Sequence, residues 1–298
     1  MADPTSMFRR IVVAFDGSPS AQDALALALR LRDPEAGALI LACVVPGRPW
    51  HLPGHSHADD EAARDAIAML TEARAGIPAG IPVGVRTPVA TSPARGLTEL
   101  AETEDADLIV IGSSKAASGG RIGLARTAGR LLQGAPCAVA VAPPGRRDSG
   151  VFRHVGVALD GSAEAAAALD AAYAIAGAGG SAMTLLSALD EGSIQFSIEP
   201  PRVRLAIQER LDAAADSAPG GLNPRTLLLH GPAGRVIADA CEGVVDLLVT
   251  GSRSYGPLQR ALLGSVSEEL IARATHPVLV IPRQPAQVAS APAAAEAV

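Results

Sequence analysis

Aromatic side chains are nearly missing from this chain: Phe, Tyr and Trp together make up 2% of its 298 residues. Its cores must therefore be aliphatic, and it lacks an aromatic platform on which nucleic-acid bases would stack. Lysine is scarcer still, since Lys115 stands alone among 25 basic residues. With 31 acidic residues the formal net charge is −6, which argues against a general nucleic-acid binder or a membrane-surface binder. Cys43, Cys137 and Cys241 are the only cysteines and lie too far apart for a metal-binding spacing. They read as reduced packing thiols. No apolar run reaches the ~18–20 residues of a membrane span, and residues 1–10 do not have the form of a secretory signal. A soluble, cytoplasmic protein is expected.

What is present is aliphatic and repetitive. A hydrophobic content of 48% over this length suits two domains of about 140 residues each. The most organised stretch is 247–267. Leu247-Leu248-Val249 reads as a buried strand, Thr250-Gly251-Ser252 as the loop where the chain leaves the sheet, and Gly264-Ser265 as the approach to a helix opening at Val266-Ser267-Glu268. Ser265 with Glu268 three residues later suits a capping box. A glycine before a helix leaves N–H groups bare, and such a terminus cradles phosphate. An ordinary capped strand-loop-helix turn has the same sequence signature.

The N-terminal half opens the same way. The apolar run 11–15 stops at Asp16-Gly17-Ser18, and helical spacing follows over 20–31 with Ser18 or Ser20 as its cap. Strands are expected at 39–45, 83–89, 108–111 and 138–142, and helices at 62–75, 94–102 and 126–132. The segment 49–60 reads as a solvated loop. Its Trp50, His51, His55 and His57 are weighed as a metal site and set aside, because no cysteine partners them and the second half has no counterpart. After the turn-rich linker 145–150 the pattern restarts: strand 155–159 runs into Asp160-Gly161-Ser162, strands follow at 185–189, 226–230 and 246–249, and a helix at 236–241. Gly251 follows Gly112 by 139 residues and Pro282 follows Pro143 by 139, whereas Asp160 follows Asp16 by 144. Self-similarity at domain length means two copies of one α/β domain, expected over 9–144 and 153–283.

Strands alternating with helices make a parallel sheet covered on both faces, doubly wound and Rossmann-like, with right-handed crossovers. Ligands of such sheets sit at the carboxyl ends of the strands, where the strand order reverses. If strands one and four of each half are neighbours there, Asp160 faces Gly251 and Asp16 faces Gly112. The final strands, 137–141 and 277–281, are short, apolar and edge-like, so they are expected to pair with each other as an intramolecular pseudo-dimer. A further homodimer is an analogy only.

The sequence resembles the universal stress protein family in both halves, through VVAFDGS and VALDGS, DLIVIGS and DLLVTGS, and the closing GAPCAVAVAP and THPVLVIP. The resemblance implies a five-stranded parallel sheet of order 3-2-1-4-5 in each half. Nucleotide-binding members carry Gly-x-x-Gly, nine residues, then Gly and Ser or Thr. Here Gly251, Ser254, Gly264 and Ser265 occupy those positions, with Ser254 in place of the second glycine. In the first half Gly112 aligns, Lys115 takes the second position, and Ala125 and Arg126 replace the last pair, which implies a degenerate site unless Gly119, Gly120 and Gly123 form a rearranged nest. By the same resemblance the base is held by backbone at Ala188, or at Val44 in the first half. Asp160 and Gly161 then lie by base and ribose, and Thr250, Gly251, Arg253, Gly264, Ser265, Val266 and Ser267 line the phosphates. The implied ligand is ATP, with Mg2+ or Mn2+ riding on its phosphates. Asp-Gly-Ser is also a good turn in its own right.

The function implied is a nucleotide-dependent stress-response module acting on protein partners that the sequence does not identify. A dedicated enzyme is not expected, beyond slow ATP hydrolysis. An adenine-nucleotide hydrolase of a related superfamily would carry a Ser-Gly-Gly loop after strand one, where this chain has Asp-Gly-Ser. A scaffold without nucleotide is the other alternative. Arg260 is a further candidate for phosphate contact, 191–204 a candidate lid, and His230 and His276 read as satisfied structural histidines. The lead 1–6 and the Ala-rich tail after Gln284 are expected to be disordered.

Overall fold

Each aliphatic run bounded by turn residues becomes a strand, and each helically spaced stretch a helix. The computed structural model describes residues 8–47, 57–114, 120–123, 126–190, 200–252 and 265–282, so the lead, the tail, His51, His55, Arg260 and the 191–199 part of the candidate lid lie outside the described residues. The first half runs β1 (Arg10–Ala14), α1 (Pro19–Leu31), β2 (Ala38–Ala42), β3 (Val45–Pro46), α2 (His57–Ala75), β4 (Val83–Arg86), β5 (Val89–Ala90), α3 (Pro93–Thr103), β6 (Leu108–Gly112), α4 (Arg126–Gly134) and β7 (Ala138–Ala142). The second runs β8 (His154–Ala158), α5 (Ala163–Gly179), β9 (Ala182–Leu189), α6 (Pro200–Asp216), β10 (Arg225–His230), α7 (Ala233–Cys241), β11 (Leu247–Gly251), α8 (Ser265–Arg273) and β12 (Val278–Ile281).

Four local expectations change. The expected strand 39–45 divides into β2 and β3, with residues 43–44 between them and β3 outside the main sheet. Residues 57–60, read as loop, open α2, and residues 200–204, read as part of a lid, are the first turn of α6. Pro200 and Pro201 supply the preset φ that a helix start favours. The expected strand 83–89 divides into β4 and β5, with Pro88 between them unable to donate to a ladder. β5 pairs instead with β3 in a separate two-stranded sheet.

The strand order of the main sheet is β10-β9-β8-β11-β12-β7-β6-β1-β2-β4. Each half thus has the order 3-2-1-4-5, all parallel, but the two sheets are one ten-stranded sheet. The joint is the antiparallel pairing of β12 with β7, with Val278 opposite Val141, Leu279 opposite Ala140 and Val280 opposite Val139. The expected pairing of the final strands is therefore present. Alternate strand residues face two cores, each running across both halves. One holds Ile11, Val13 and Leu185 against α1, α2, α5 and α6, through Leu27, Leu70, Ala168 and Leu211. The other holds Val12, Ile109 and Leu248 against α3, α4, α7 and α8, through Leu97, Leu131, Ile237 and Leu270. No helix among the described residues is long and apolar enough to cross a membrane.

Polar contacts lock the halves together. On α1, Asp23 is buried and accepts from the Gly145 N–H at 2.9 Å and the Arg147 Nε at 2.8 Å. Two turns along the helix, the buried Arg30 donates to the carbonyls of Gly150 and Val151 and to Asp246 at 3.3 Å, and lies 3.9 Å from the centroid of the Phe152 ring. Asp246 in turn accepts from the Arg153 and His154 N–H groups, both at 2.9 Å. Ile122, 2% exposed, donates its N–H to the Ala274 carbonyl at 2.9 Å, so the loop after β6 is held by the end of α8.

His276, at the same junction, differs from its expected satisfied state. It is 1% exposed, and neither ring nitrogen has a hydrogen-bond partner among the described residues. Burial, helped by Arg146 and opposed by Asp246, pushes its pKa down to about 4. Burial pushes the Cys137 and Cys241 thiols up to about 12, as packing thiols require.

Two predictions follow from this junction. Arg30→Ala leaves the half-buried Asp246 with only its two backbone N–H partners, and urea unfolding should register a loss of about 1.5–3 kcal/mol; a loss under 1 kcal/mol would mean the contact is incidental. His276 must stay neutral in the folded chain, whereas the unfolded chain protonates it near pH 6.5. Its contribution is therefore present above that value and lost as pH falls toward 4, by about 3 kcal/mol at most. Stability measured from pH 7 to pH 4 should fall more steeply for the parent than for His276→Leu; parallel curves would refute this. Taking the difference between the two cancels other groups such as Asp107, whose carboxyl burial raises.

Candidate functional site

Two crevices open at the carboxyl ends of the strands, one in each half, where β1 and β6, or β8 and β11, part company. In the second half Asp160 ends the turn after β8. Its Oδ1 accepts from the Ser162 N–H at 3.0 Å and the Ser162 hydroxyl at 2.6 Å, while the Ser162 Oγ caps α5 by accepting from the Ala165 N–H at 3.1 Å. Asp16 repeats this with the Ser18 N–H at 3.0 Å, and Ser18, not Ser20, caps α1. Both aspartates thus do the local turn work that Asp-Gly-Ser chemistry predicts. Gly17 and Gly161 stand at φ 75° and 81°, the left-handed region where a side chain is strained.

The first glycine of each phosphate-loop pattern has a packing reason. A Cβ on Gly251 would lie 2.6 Å from the Glu164 carbonyl carbon, and one on Gly112 would collide with Ser20. Glycine lets the end of the fourth strand touch the first turn of α5 or α1. Above it, the buried Thr250 and Ser267 hydroxyls donate to the Gly251 carbonyl at 3.3 and 3.4 Å, tying α8 to the strand end.

The strand-two positions are placed by the parallel ladder. In a parallel strand a residue directs its N–H and C=O to the same side, and its neighbours direct theirs to the other. The Leu186 carbonyl accepts from Leu159 on the β8 side, and the Leu189 carbonyl accepts from Gly231 on the β10 side. β8 pairs with β9 only as far as Leu186. Ala188 therefore turns both its N–H and its C=O into the crevice, beyond the end of β8. Val44 does the same in the first half, since the Ala42 carbonyl accepts from Phe15, while Cys43 and Val45 donate to the opposite side.

Asp160, Ala188, Thr250, Gly251, Val266 and Ser267 line one cavity of about 190 Å³, together with Arg210 from α6. Six of the expected second-half residues thus converge, and Gly161 lies at the rim beneath Arg210. Arg253, Ser254 and Gly264 lie outside the described residues, as does the Ser265 side chain with its capping box. α8 begins at Ser265 itself. In the first half Asp16, Val44 and Gly112 line a cavity of about 450 Å³ with Cys43, Ser113, Ser114 and Thr127. Arg126 is exposed at the start of α4 and is not among the lining residues, and Lys115 lies outside the described residues. The rearranged nest is not formed at Gly123, whose N–H donates to the Ser113 hydroxyl at 2.7 Å and whose carbonyl accepts from the Ser114 N–H at 3.0 Å. Gly119 is outside the described residues.

Sequence reasoning missed Arg210 and Thr127. Arg210 sits within a polar helical face, with nothing local to mark it. Thr127 follows Arg126 by one residue and stands where the second half has Val266. Burial and the Asp16 charge raise the Cys43 pKa, so the thiol in the first crevice is held protonated. His230 is exposed and shares a 2.7 Å hydrogen bond with Arg204, away from both crevices. No cluster of three or more His, Cys, Asp or Glu suited to a metal ion occurs among the described residues.

The comparisons with known proteins agree with this doubled architecture. A universal stress protein from Archaeoglobus fulgidus has a solved structure that superposes with a TM-score of 0.70 at 22% identity, covering 92% of this chain and 96% of that one. A universal stress protein of Thermus aquaticus, encoded 3′ of a QAH/OAS sulfhydrylase, is 32% identical over 136 residues, which is 44% of this chain and 99% of that protein. Universal stress protein YxiE of Bacillus subtilis is 30% identical over 149 residues, again 44% of this chain and 99% of the relative. The model of the universal stress protein family matches residues 7–143 and again 152–282. With two full matches along one ten-stranded sheet, the chain belongs to the universal stress protein family and carries its domain twice.

Proposed function

We propose that this protein is an ATP-binding regulatory module of the stress response, with the second crevice as its principal site. The observation that carries the reading is the Ala188 peptide, a donor beside an acceptor turned into the crevice beyond the end of β8. The edge of an adenine ring, with an amino donor beside a ring-nitrogen acceptor, complements such a pair. Asp160 then lies by base and ribose, and the first turn of α8, at Val266 and Ser267, offers helix N–H groups to the phosphates. Mg2+ or Mn2+ would be held by those phosphates and not by a protein cage.

Several features support one site over two. Arg210 lines the second crevice, whereas no cation lines the first among the described residues. Where the second half has Thr250 and Ser267, the first has Ile111 and Ala128. The size of the first cavity, about 450 Å³, is the one observation that favours a second site there. A binding role, not dedicated catalysis, fits the hydroxyls at the second crevice. Those of Ser162, Thr250 and Ser267 hold the backbone and the Asp160 turn.

Calorimetric titration of the full chain with Mg-ATP should give a stoichiometry near one. Asp160→Ala should weaken binding, and Asp16→Ala should not. Each should also lower stability by about 1 kcal/mol through loss of the helix-opening turn, so the two variants separate a ligand contact from a turn. Two equal sites, or equal effects of the two variants on binding, would overturn the assignment.

A further inference from the structure

Gly17 and Gly161 are equivalent turn glycines at positive φ, and in each half a side chain from the second helix lies over the bare Cα. In the first half it is Met69, whose sulfur would be 2.8 Å from a Cβ on Gly17. In the second it is Arg210, whose guanidinium a Cβ on Gly161 would strike. The two halves therefore differ at this seat by a full positive charge. The Arg210 Nε donates to the Ala206 carbonyl of its own helix at 3.3 Å, leaving the terminal nitrogens for the glycine turn.

Arg210 also marks the meeting of two spaces. It lines the crevice with Asp160, Ala188 and Ser267, and it lines an apolar groove of about 170 Å³ between α5 and α6, walled by Leu159, Leu169, Ile207 and Leu211. α6 packs on one face of the sheet, through Ile207 and Leu211, and α8 on the other, through Leu270 and Ile271. Arg210 and the first turn of α8 thus approach the strand ends from opposite faces, with the Asp160-Gly161 turn on the Arg210 side.

We propose that Arg210 makes the second crevice select adenine nucleotides that carry a phosphate on the ribose as well as on the 5′ carbon. The inference rests on the nucleotide reading above. With the base at Ala188 and the 5′-phosphate at α8, the ribose lies over Asp160-Gly161, and a phosphate on its 2′ or 3′ oxygen meets the guanidinium. In dinucleotide sites an acidic residue reads the free ribose hydroxyl, whereas an arginine nearby accommodates a ribose phosphate; here the Arg210 charge has to outweigh the Asp160 carboxylate, and its planar fork suits two phosphate oxygens at once. Met69 denies the first crevice this contact.

The test compares three probes on the full chain by calorimetry: AMP, adenosine 2′,5′-bisphosphate and adenosine 3′,5′-bisphosphate. At least one bisphosphate should bind about tenfold or more tighter than AMP. Arg210→Met, which copies the first half, should bring that ratio close to one, and Arg210→Lys should retain part of it; circular dichroism checks that both variants fold. Equal binding of all three probes by the parent, or a ratio that survives Arg210→Met, overturns the inference while leaving the nucleotide reading in place. No binding of any probe, with ATP also failing to bind, overturns both.

Discussion

The pairing of β7 with β12 is the constraint on which the rest of the molecule depends. Both strands are short and wholly buried, and each would be the exposed apolar edge of its own five-stranded sheet. An aliphatic edge of that kind is a template for aggregation unless something pairs with it. Here each edge covers the other within one chain, so two domains become one sheet with two cores that run uninterrupted beneath both halves. The almost complete lack of aromatic residues makes this continuity important. Alanine, valine and leucine fill space in small increments, so stability has to come from many well-packed contacts and not from a few large rings.

Joining the halves this way puts their loops within reach of one another. The Ile122 N–H takes the last turn of α8, whose first turn lines the second crevice. The junction also gathers polar groups: Asp23 and Arg30 on one helix, which hold the linker, Asp246 at the start of β11, and the buried ring of His276, which has no hydrogen-bond partner among the described residues. Asp246 has a counterpart in Asp107, which accepts from the Arg9 and Arg10 N–H groups, but the anchors on α1 are not duplicated. Asp23 and Arg30 correspond to Ala167 and Ala174 by the Asp16-to-Asp160 spacing, so the first α1 alone carries the polar anchors of the linker. An internal duplication has to become asymmetric in this way, since one chain has one linker.

The crevices show the same divergence on a common frame. Strand ends, turn glycines, capping serines and the strand-two peptide are repeated almost feature for feature, because each is required by the backbone geometry of a parallel α/β sheet. What differs is carried by side chains that this geometry does not require in both halves: Arg210 against Met69, and Ser267 and Thr250, which tie α8 to the strand end, against Ala128 and Ile111. Gly251 and Gly112 show why the two kinds of position must be kept apart. Both belong to the pattern associated with phosphate binding, yet both are glycine because the adjoining helix leaves no room for a Cβ.

By itself the sequence determined the doubled α/β architecture, the strand and helix identities over most of their lengths, and the turns at Asp16-Gly17-Ser18 and Asp160-Gly161-Ser162. These follow from hydrophobic period, turn chemistry and capping, which act over a few neighbouring residues and are legible wherever they occur. It also placed Asp160, Ala188, Gly251 and Ser267 together, although Ala188 came through a family resemblance and not through its own chemistry. Where local signals were ambiguous the reading erred: Pro200-Pro201 looked like loop and proved a helix start, and His276 looked satisfied. The edge-to-edge pairing of the two final strands was expected as well, because a short apolar edge needs a partner. Only the tertiary structure decided that Ile122 meets Ala274, that Arg210 lies over Gly161 while Met69 lies over Gly17, and that Thr127 and not Arg126 faces the first crevice. Such facts depend on the rotational phase of each helix and on contacts between residues more than a hundred positions apart, and neither leaves a trace in the spacing of neighbouring side chains.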